Sequence, residues 1–201
     1  LNDKKNIAAD SYEKVLLPKV RSTTIRVSAT IAKGDLLKRA AQRTEVHYRK
    51  LPKHLDWKEC LVNIRSAPLT LPDLRNAADS TNDLGGSGVG VIETVGPGTT
   101  LLKEGDWVVP LSDAMGTFSS FRVWDEKDVL KIERDVMPVE YCALWRELAL
   151  AYHLLETEAS HLKAGDAVLI SAANGAIGQI LIQLCRLMKL RTLCVVRKSD
   201  S

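Results

Sequence analysis

GDAVLISAANGAIGQILIQLCRLMKLRTLCVVR, residues 165–197, is the stretch that decides the fold of this chain. It reads as a strand, a glycine turn, a helix and a second strand ending on an arginine. Ala167–Ser171 and Thr192–Val196 are short apolar runs of β-forming residues, as expected of parallel strands covered on both faces. Between them, Ala172-x-x-Gly175-x-x-Gly178 brings a helix N-terminus close to the end of the first strand. Unpaired N–H groups and the helix dipole favour an anion there, so Ala173, Asn174, Gly175, Ala176, Ile177 and Gly178 are the candidate cradle for a pyrophosphate. The alternative is that Gly175 and Gly178 serve only tight strand–helix packing. Arg197 stands where an acidic residue would hold the ribose hydroxyl of NAD. A guanidinium suits a 2′-phosphate instead, so the expected cofactor is NADPH; an ordinary strand-end charge is the plainer alternative.

The helix of this stretch, placed at Gln179–Lys189, carries apolar side chains at 180, 181, 182, 184, 185, 187 and 188. That stripe is too wide for one sheet face, so its outer side needs a second cover. Leaving five or six such side chains wet would cost about 1.5–3 kcal/mol apiece, a sum comparable to the stability of a small domain. Bare strand edges add an aggregation hazard. Only the first two strands of a doubly wound sheet fit before Ser201. The expectation is a truncated nucleotide fold, completed by further chain or by another protein.

Composition bounds the rest. The chain has 201 residues, is 45% hydrophobic and 26% charged, and carries a formal charge of +3, all ordinary for a globular protein. That charge gives no argument for nucleic acid. Arg39, Arg43, Arg49, Lys50 and Lys53 make a mildly basic stretch, read as a solvated face. No segment approaches the apolar length of a membrane span. Cys60, Cys142, Cys185 and Cys194 are dispersed in apolar surroundings and form no C-x-x-C pair. They read as reduced packing residues rather than zinc or redox ligands.

Residues 1–22 read as an N-terminal arm, 23–135 as a β-rich barrel-like domain and 136–201 as a connecting helix with a partial nucleotide-binding domain. Within the barrel, strands are expected at Thr23–Ala29, Glu45–Lys50, Cys60–Ser66, Gly88–Val95, up to Pro110 and across Gly116–Val123. Lys33–Gln42 reads as a short helix or turn insert, and Leu71–Leu84 as a polar loop or short helix. Val139–Glu156 has a helical period, with Leu144, Leu148, Ala151, Tyr152 and Leu155 on one side. A K-x-G-D turn occurs twice, at Lys103–Asp106 and Lys163–Asp166.

This order, with Ala67-Pro68…Pro72-Asp73, GGSGVGVIETVGPGTTLLKEGDWVVP (Gly85–Pro110), Gly116-Thr117-Phe118, LKAGDAVLISAANGAIGQ (Leu162–Gln179) and LRTLCVVR (Leu190–Arg197), resembles the medium-chain dehydrogenase/reductase superfamily. It is most similar to the zinc-free mitochondrial 2-enoyl thioester reductases and their quinone oxidoreductase cousins. The resemblance covers roughly residues 60–201. It implies an α/β chain: a GroES-like β-barrel followed by the first β-α-β unit of a Rossmann fold. It also implies a mitochondrial (matrix) location, no metal, and NADPH-dependent reduction of the double bond of an enoyl thioester. Hydride would pass from the nicotinamide, with a tyrosine or water network protonating the product.

The active-site half departs from that pattern. The family's N-P-x-D segment is Leu71-Pro72-Asp73-Leu74 here, and the tyrosine's place falls near Ser80 or Thr81. No tyrosine lies between Tyr48 and Tyr141. The glutamate of the family's E-G turn is Ser87, and its N-P-x-T-A-Y segment is Glu147-Leu148-Ala149-Leu150-Ala151-Tyr152. No catalytic residue is therefore assigned. The expectation is a catalytically degenerate relative acting as a structural or assembly subunit of a larger complex. The alternative is an active enoyl thioester or quinone reductase.

Overall fold

The structure is a computed structural model and describes residues 15–16, 21–27, 44–79, 83–113 and 115–197. The chain divides into two compact units, residues 1–143 and 144–201, each taken by itself.

In the first unit, β1 (Val15–Leu16) pairs with β4 (His54–Leu55), and β2 (Arg21–Val27) pairs antiparallel with β3 (Thr44–Lys50). Among the described residues the main sheet has five antiparallel strands in the order β8-β5-β6-β7-β9. These are β5 (Glu59–Ser66), β6 (Val89–Val95), β7 (Trp107–Pro110), β8 (Phe121–Asp125) and β9 (Val129–Ile132). Strand β5, between β8 and β6, buries both of its faces. Cys60 and Val62 join Ile92, Leu102, Val108, Trp124 and Val129 on one side, while Leu61 packs with Leu55, Phe121 and Val123 on the other.

Two expectations shift here. The strand expected across Gly116–Val123 begins only at Phe121, because Gly116, Thr117 and Phe118 instead bond across to Gly85 and Leu84. Strand β9 went unread. Its Leu130 and Lys131 are both exposed, so it shows too little alternation to be seen alone. Leu71–Leu84 opens as helix α1 (Leu71–Asp79). Thr70 sits at its N-cap and gives both its N–H and its hydroxyl to the buried Asp73 carboxylate, the N–H bond at 2.8 Å. The Asp73 carboxylate thereby satisfies the Thr70 N–H, one half of a capping box. The segment Lys33–Gln42 lies outside the described residues.

The helix expected over Val139–Glu156 is two. Helix α2 (Val139–Cys142) ends the first unit, α3 (Trp145–His153) opens the second, and a wider π turn follows at Leu154–Glu158. Ala151 and Leu155 are buried but Tyr152 is exposed.

In the second unit, β10 (Ala167–Ser171) runs parallel to β11 (Arg191–Val195), with helix α4 (Ala176–Leu187) between them in sequence. Ile170, Ala173, Cys185, Leu190 and Leu155 form its core. The outer cover demanded by the wide stripe of α4 comes in part from the same unit, since α3 packs against it. Helix α4 also ends two residues short of the expected Lys189. Lys189 adopts a left-handed φ of 59°, which lets the Leu190 N–H reach back to the Cys185 carbonyl at 2.8 Å.

Candidate functional site

The turn between β10 and α4 is built by close approach. Ser171 ends the strand, and Ala172 turns the chain through a left-handed φ of 50°. Ala173 is buried and donates its N–H to the Val195 carbonyl of the neighbouring strand at 3.2 Å. Gly175 caps α4 from extended backbone, and its N–H reaches the Ala172 carbonyl at 2.9 Å. A Cβ on Gly178 would lie 2.7 Å from the Ala173 Cα and 2.8 Å from the carbonyl oxygens of Ala172 and Ala173. Real side chains do not approach backbone so closely, so only glycine lets the first turn of α4 seat on the strand end.

The seating has an electrostatic result. The first intrahelical bond of this turn is Gln179 N–H to the Gly175 carbonyl at 3.0 Å. The N–H groups of Ala176, Ile177 and Gly178 precede it and have no carbonyl of their own helix to bond. They form the positive end of a helix of 12 residues, long enough to carry a macrodipole. Gln179 braces the loop by donating its side-chain amide to the Asn174 carbonyl at 2.9 Å. Asn174, Gly175 and Ala176 are exposed and Ile177 is half-buried, so solvent reaches the cradle. Arg197 is exposed two residues beyond β11. The parallel register Ser171↔Val195 sets it at the carboxyl end of the sheet, the same end as the turn. The structure thus brings the seven sequence-predicted residues to the carboxyl end of one strand pair.

In the first unit, Leu84–Ser87, which includes the departing Ser87, forms a clasp with Gly116–Phe118. The Gly116 and Thr117 N–H groups both donate to the Gly85 carbonyl, at 3.0 and 3.1 Å, and Phe118 donates to Leu84 at 3.0 Å. Thr117 is buried and gives its hydroxyl to the Ser87 carbonyl at 2.7 Å. Gly85 holds a φ of 98°, and a Cβ there would fall 2.3 Å from the Thr117 hydroxyl, so glycine is required twice over. Asp73, in the Leu71–Leu74 segment, is spent on the α1 cap. Ser80 and Thr81 lie outside the described residues.

Beside the clasp is a feature that reading along the sequence missed. Asp83 receives the Arg122 guanidinium at 2.8 Å and that of Arg49 at 3.3 Å. Arg49 is therefore not merely part of a solvated face. The two arginines lie 34 and 39 positions from Asp83 in sequence, and no local pattern signals such a pairing. Cys194 is a second correction: it is exposed, whereas Cys60, Cys142 and Cys185 are buried. Burial raises the thiols of those three, and Cys60 is pushed up to about 12. Among the described residues there is no cluster of three or more groups able to hold a metal ion. None of their helices is long and apolar enough to cross a membrane.

Comparison with known proteins follows the same lines. The mitochondrial enoyl-[acyl-carrier-protein] reductase of Dictyostelium discoideum is 34% identical over 148 residues, covering 70% of this chain and 42% of that protein. This chain belongs to the medium-chain dehydrogenase/reductase superfamily. It stands with the enoyl thioester reductase and quinone oxidoreductase-like members. The human enoyl-[acyl-carrier-protein] reductase is 34% identical over 113 residues, 56% of this chain and 30% of the relative. The chain therefore spans well under half the length of these curated relatives. Their names support a mitochondrial location for it. No family model matches the chain.

Among solved structures, the Candida tropicalis mitochondrial 2-enoyl thioester reductase Etr1p/Etr2p heterodimer superposes with a TM-score of 0.74 at 15% identity. The match covers 90% of this chain and 56% of that one. A Pseudomonas syringae quinone oxidoreductase gives 0.69 at 23% identity, covering 89% and 54%. Likeness at that identity speaks to the fold: a mixed α/β chain with an antiparallel sheet, of the superfamily's type. A further structure is that of Etr1p in complex with NADP and crotonyl-CoA.

Proposed function

We propose that this chain contributes the barrel and the NADPH-cradling portion of an enoyl thioester reductase-like protein. In this reading the first unit is a GroES-like barrel and the second opens a Rossmann fold. The single observation that carries the reading is Gly178. Its missing Cβ lets the donors of α4 converge at the carboxyl end of a parallel strand pair. Such a site suits a pyrophosphate. Ala173, Asn174, Gly175, Ala176, Ile177 and Gly178 would hold that group, and Arg197 a 2′-phosphate. In an active reductase the bound cofactor would supply the hydride. Binding of NADP by Etr1p, as its complex is titled, agrees with the assignment.

In this reading the chain is a non-catalytic relative serving as a subunit of a larger assembly, because no tyrosine lies between Tyr48 and Tyr141 to protonate a product. Further polypeptide, from this protein or a partner, would cover the open sheet face of the second unit. An active reductase is the second reading, favoured by 34% identity to named enoyl reductases. NADPH oxidation with a short enoyl-CoA separates the two. No turnover above background is expected, and turnover abolished by Gly178→Asp would establish the second reading. For the cofactor, NADPH is expected to change the tryptophan fluorescence. Arg197→Ala should weaken NADPH more than NADH, and equal weakening of both would remove the 2′-phosphate assignment.

A further inference from the structure

The ion cluster in the first unit borders a cavity of about 150 Å³ whose walls include Leu51, Pro52 and Phe121 and whose charged lining is Arg49, Lys50 and Arg122. We propose that this cavity binds a phosphate group. It is independent of the nucleotide turn, since every residue that lines it belongs to the first unit.

The first argument is charge. Two guanidiniums converge on the single carboxylate of Asp83, at 2.8 and 3.3 Å. Lys50 adds a third cation and makes no ion pair among the described residues. One carboxylate against three cations leaves an excess of positive charge beside apolar walls, where an anion would offset it.

The second is hydrogen bonding. The Arg122 side chain is only 18% exposed, and its guanidinium lies against Gly116, whose missing Cβ would fall 2.7 Å from its central carbon. Its Nε is fully buried, so a ligand in the cavity would meet the terminal nitrogens only. A guanidinium so fixed has paid its ordering cost before any ligand arrives, and its fork matches tetrahedral oxyanions. Arg49, by contrast, is 44% exposed and can turn from Asp83 to a ligand without unpacking the core.

The third is size. At about 30 Å³ for each water molecule in the liquid, about 150 Å³ holds about five waters, and a phosphate group, whose bonded atoms pack more closely, fits within it.

The test is a titration of the full chain with inorganic phosphate at constant ionic strength in chloride, followed by phosphorus NMR. Saturable binding is expected. Arg49→Ala and Lys50→Ala each alter an exposed side chain, so the fold survives, and each should weaken binding roughly tenfold, as for loss of a hydrogen bond to a charged group. Lys103→Ala, at another exposed lysine of the same unit, should leave binding unchanged. Absence of saturation overturns the proposal. So does equal weakening by Lys103→Ala, which would mean diffuse charge, or binding insensitive to both cavity variants, which would place the phosphate elsewhere, the nucleotide turn included. The source is read by competition. Coenzyme A displacing inorganic phosphate where phosphate-free pantetheine does not would mark the phosphate of a thioester carrier, an arm that rests on the function proposed above. Failure of coenzyme A to displace it would mark free phosphate.

Discussion

Two turns of one sequence pattern meet different fates. Lys103-Glu104-Gly105-Asp106 and Lys163-Ala164-Gly165-Asp166 fold alike. The Asp side chain accepts the Lys N–H at 3.0 and 2.8 Å, the Asp N–H returns to the Lys carbonyl, and the glycine takes a φ of 84° or 96°. Each turn leads straight into a strand. Yet Asp106 is buried and paired with Lys131 at 3.0 Å, while Asp166 is exposed. The strands diverge in the same way. Beyond the first turn, Val108 and Val109 are both buried although they face opposite sides of the sheet. Beyond the second, Ile170 is buried but Leu169 is 67% exposed, and its register partner Leu193 is 59% exposed. Local chemistry made the turns identical; what packs on them differs.

The largest expected effect sets one core against one open face. Leu61→Ala, within the first unit's core, should cost about 2–5 kcal/mol in denaturant unfolding. Leu169→Ala should fall within about 0.5 kcal/mol, the range of ordinary surface substitutions. A large cost at Leu169 would mean that its face is covered in solution. The companion measurement is binding of a hydrophobic dye, which Leu169→Ser with Leu193→Ser should reduce.

Next in size is the pair of aspartates. Asp106→Ala removes a bond to a backbone N–H and one to the Lys131 ammonium, and should cost about 1.5–3 kcal/mol, the range for bonds to charged groups. Asp166→Ala loses one exposed bond and should cost about 0.5–1 kcal/mol. Equal costs would show that burial adds nothing to this turn.

A smaller effect probes Ala172, whose left-handed backbone is disfavoured for any residue with a Cβ by about 1–2 kcal/mol. Ala172→Gly should therefore stabilise the chain, by up to about 1 kcal/mol after the added freedom of the unfolded state is counted. A loss of stability would show that this turn is not strained.

The last prediction is a pH dependence confined to the buried thiols. The folded-state value of Cys60 is raised to about 12 from 9.0, so the native state keeps its proton where the unfolded chain releases it. Stability from this group is complete below pH 9.0 and is lost as pH climbs towards 12. Cys60→Ala should flatten the fall in midpoint over that window, and an unchanged slope would exclude the thiol as its cause.

The sequence by itself determined what is local. The apolar runs at 167–171 and 192–196, the glycines spaced to open α4 and both K-x-G-D turns are fixed by side-chain volume and by which residues tolerate a left-handed φ. For that reason the candidate nucleotide turn was legible before any coordinates. Tertiary structure decided what depends on partners distant in sequence. It split the helix at Ala143, set α3 over α4, turned Tyr152 outward and exposed Cys194. It also drew Arg49 and Arg122 to Asp83 across more than 30 positions. The physical reason is that a backbone conformation is chosen within a few residues, whereas burial and ion pairing are chosen by whatever the fold brings alongside.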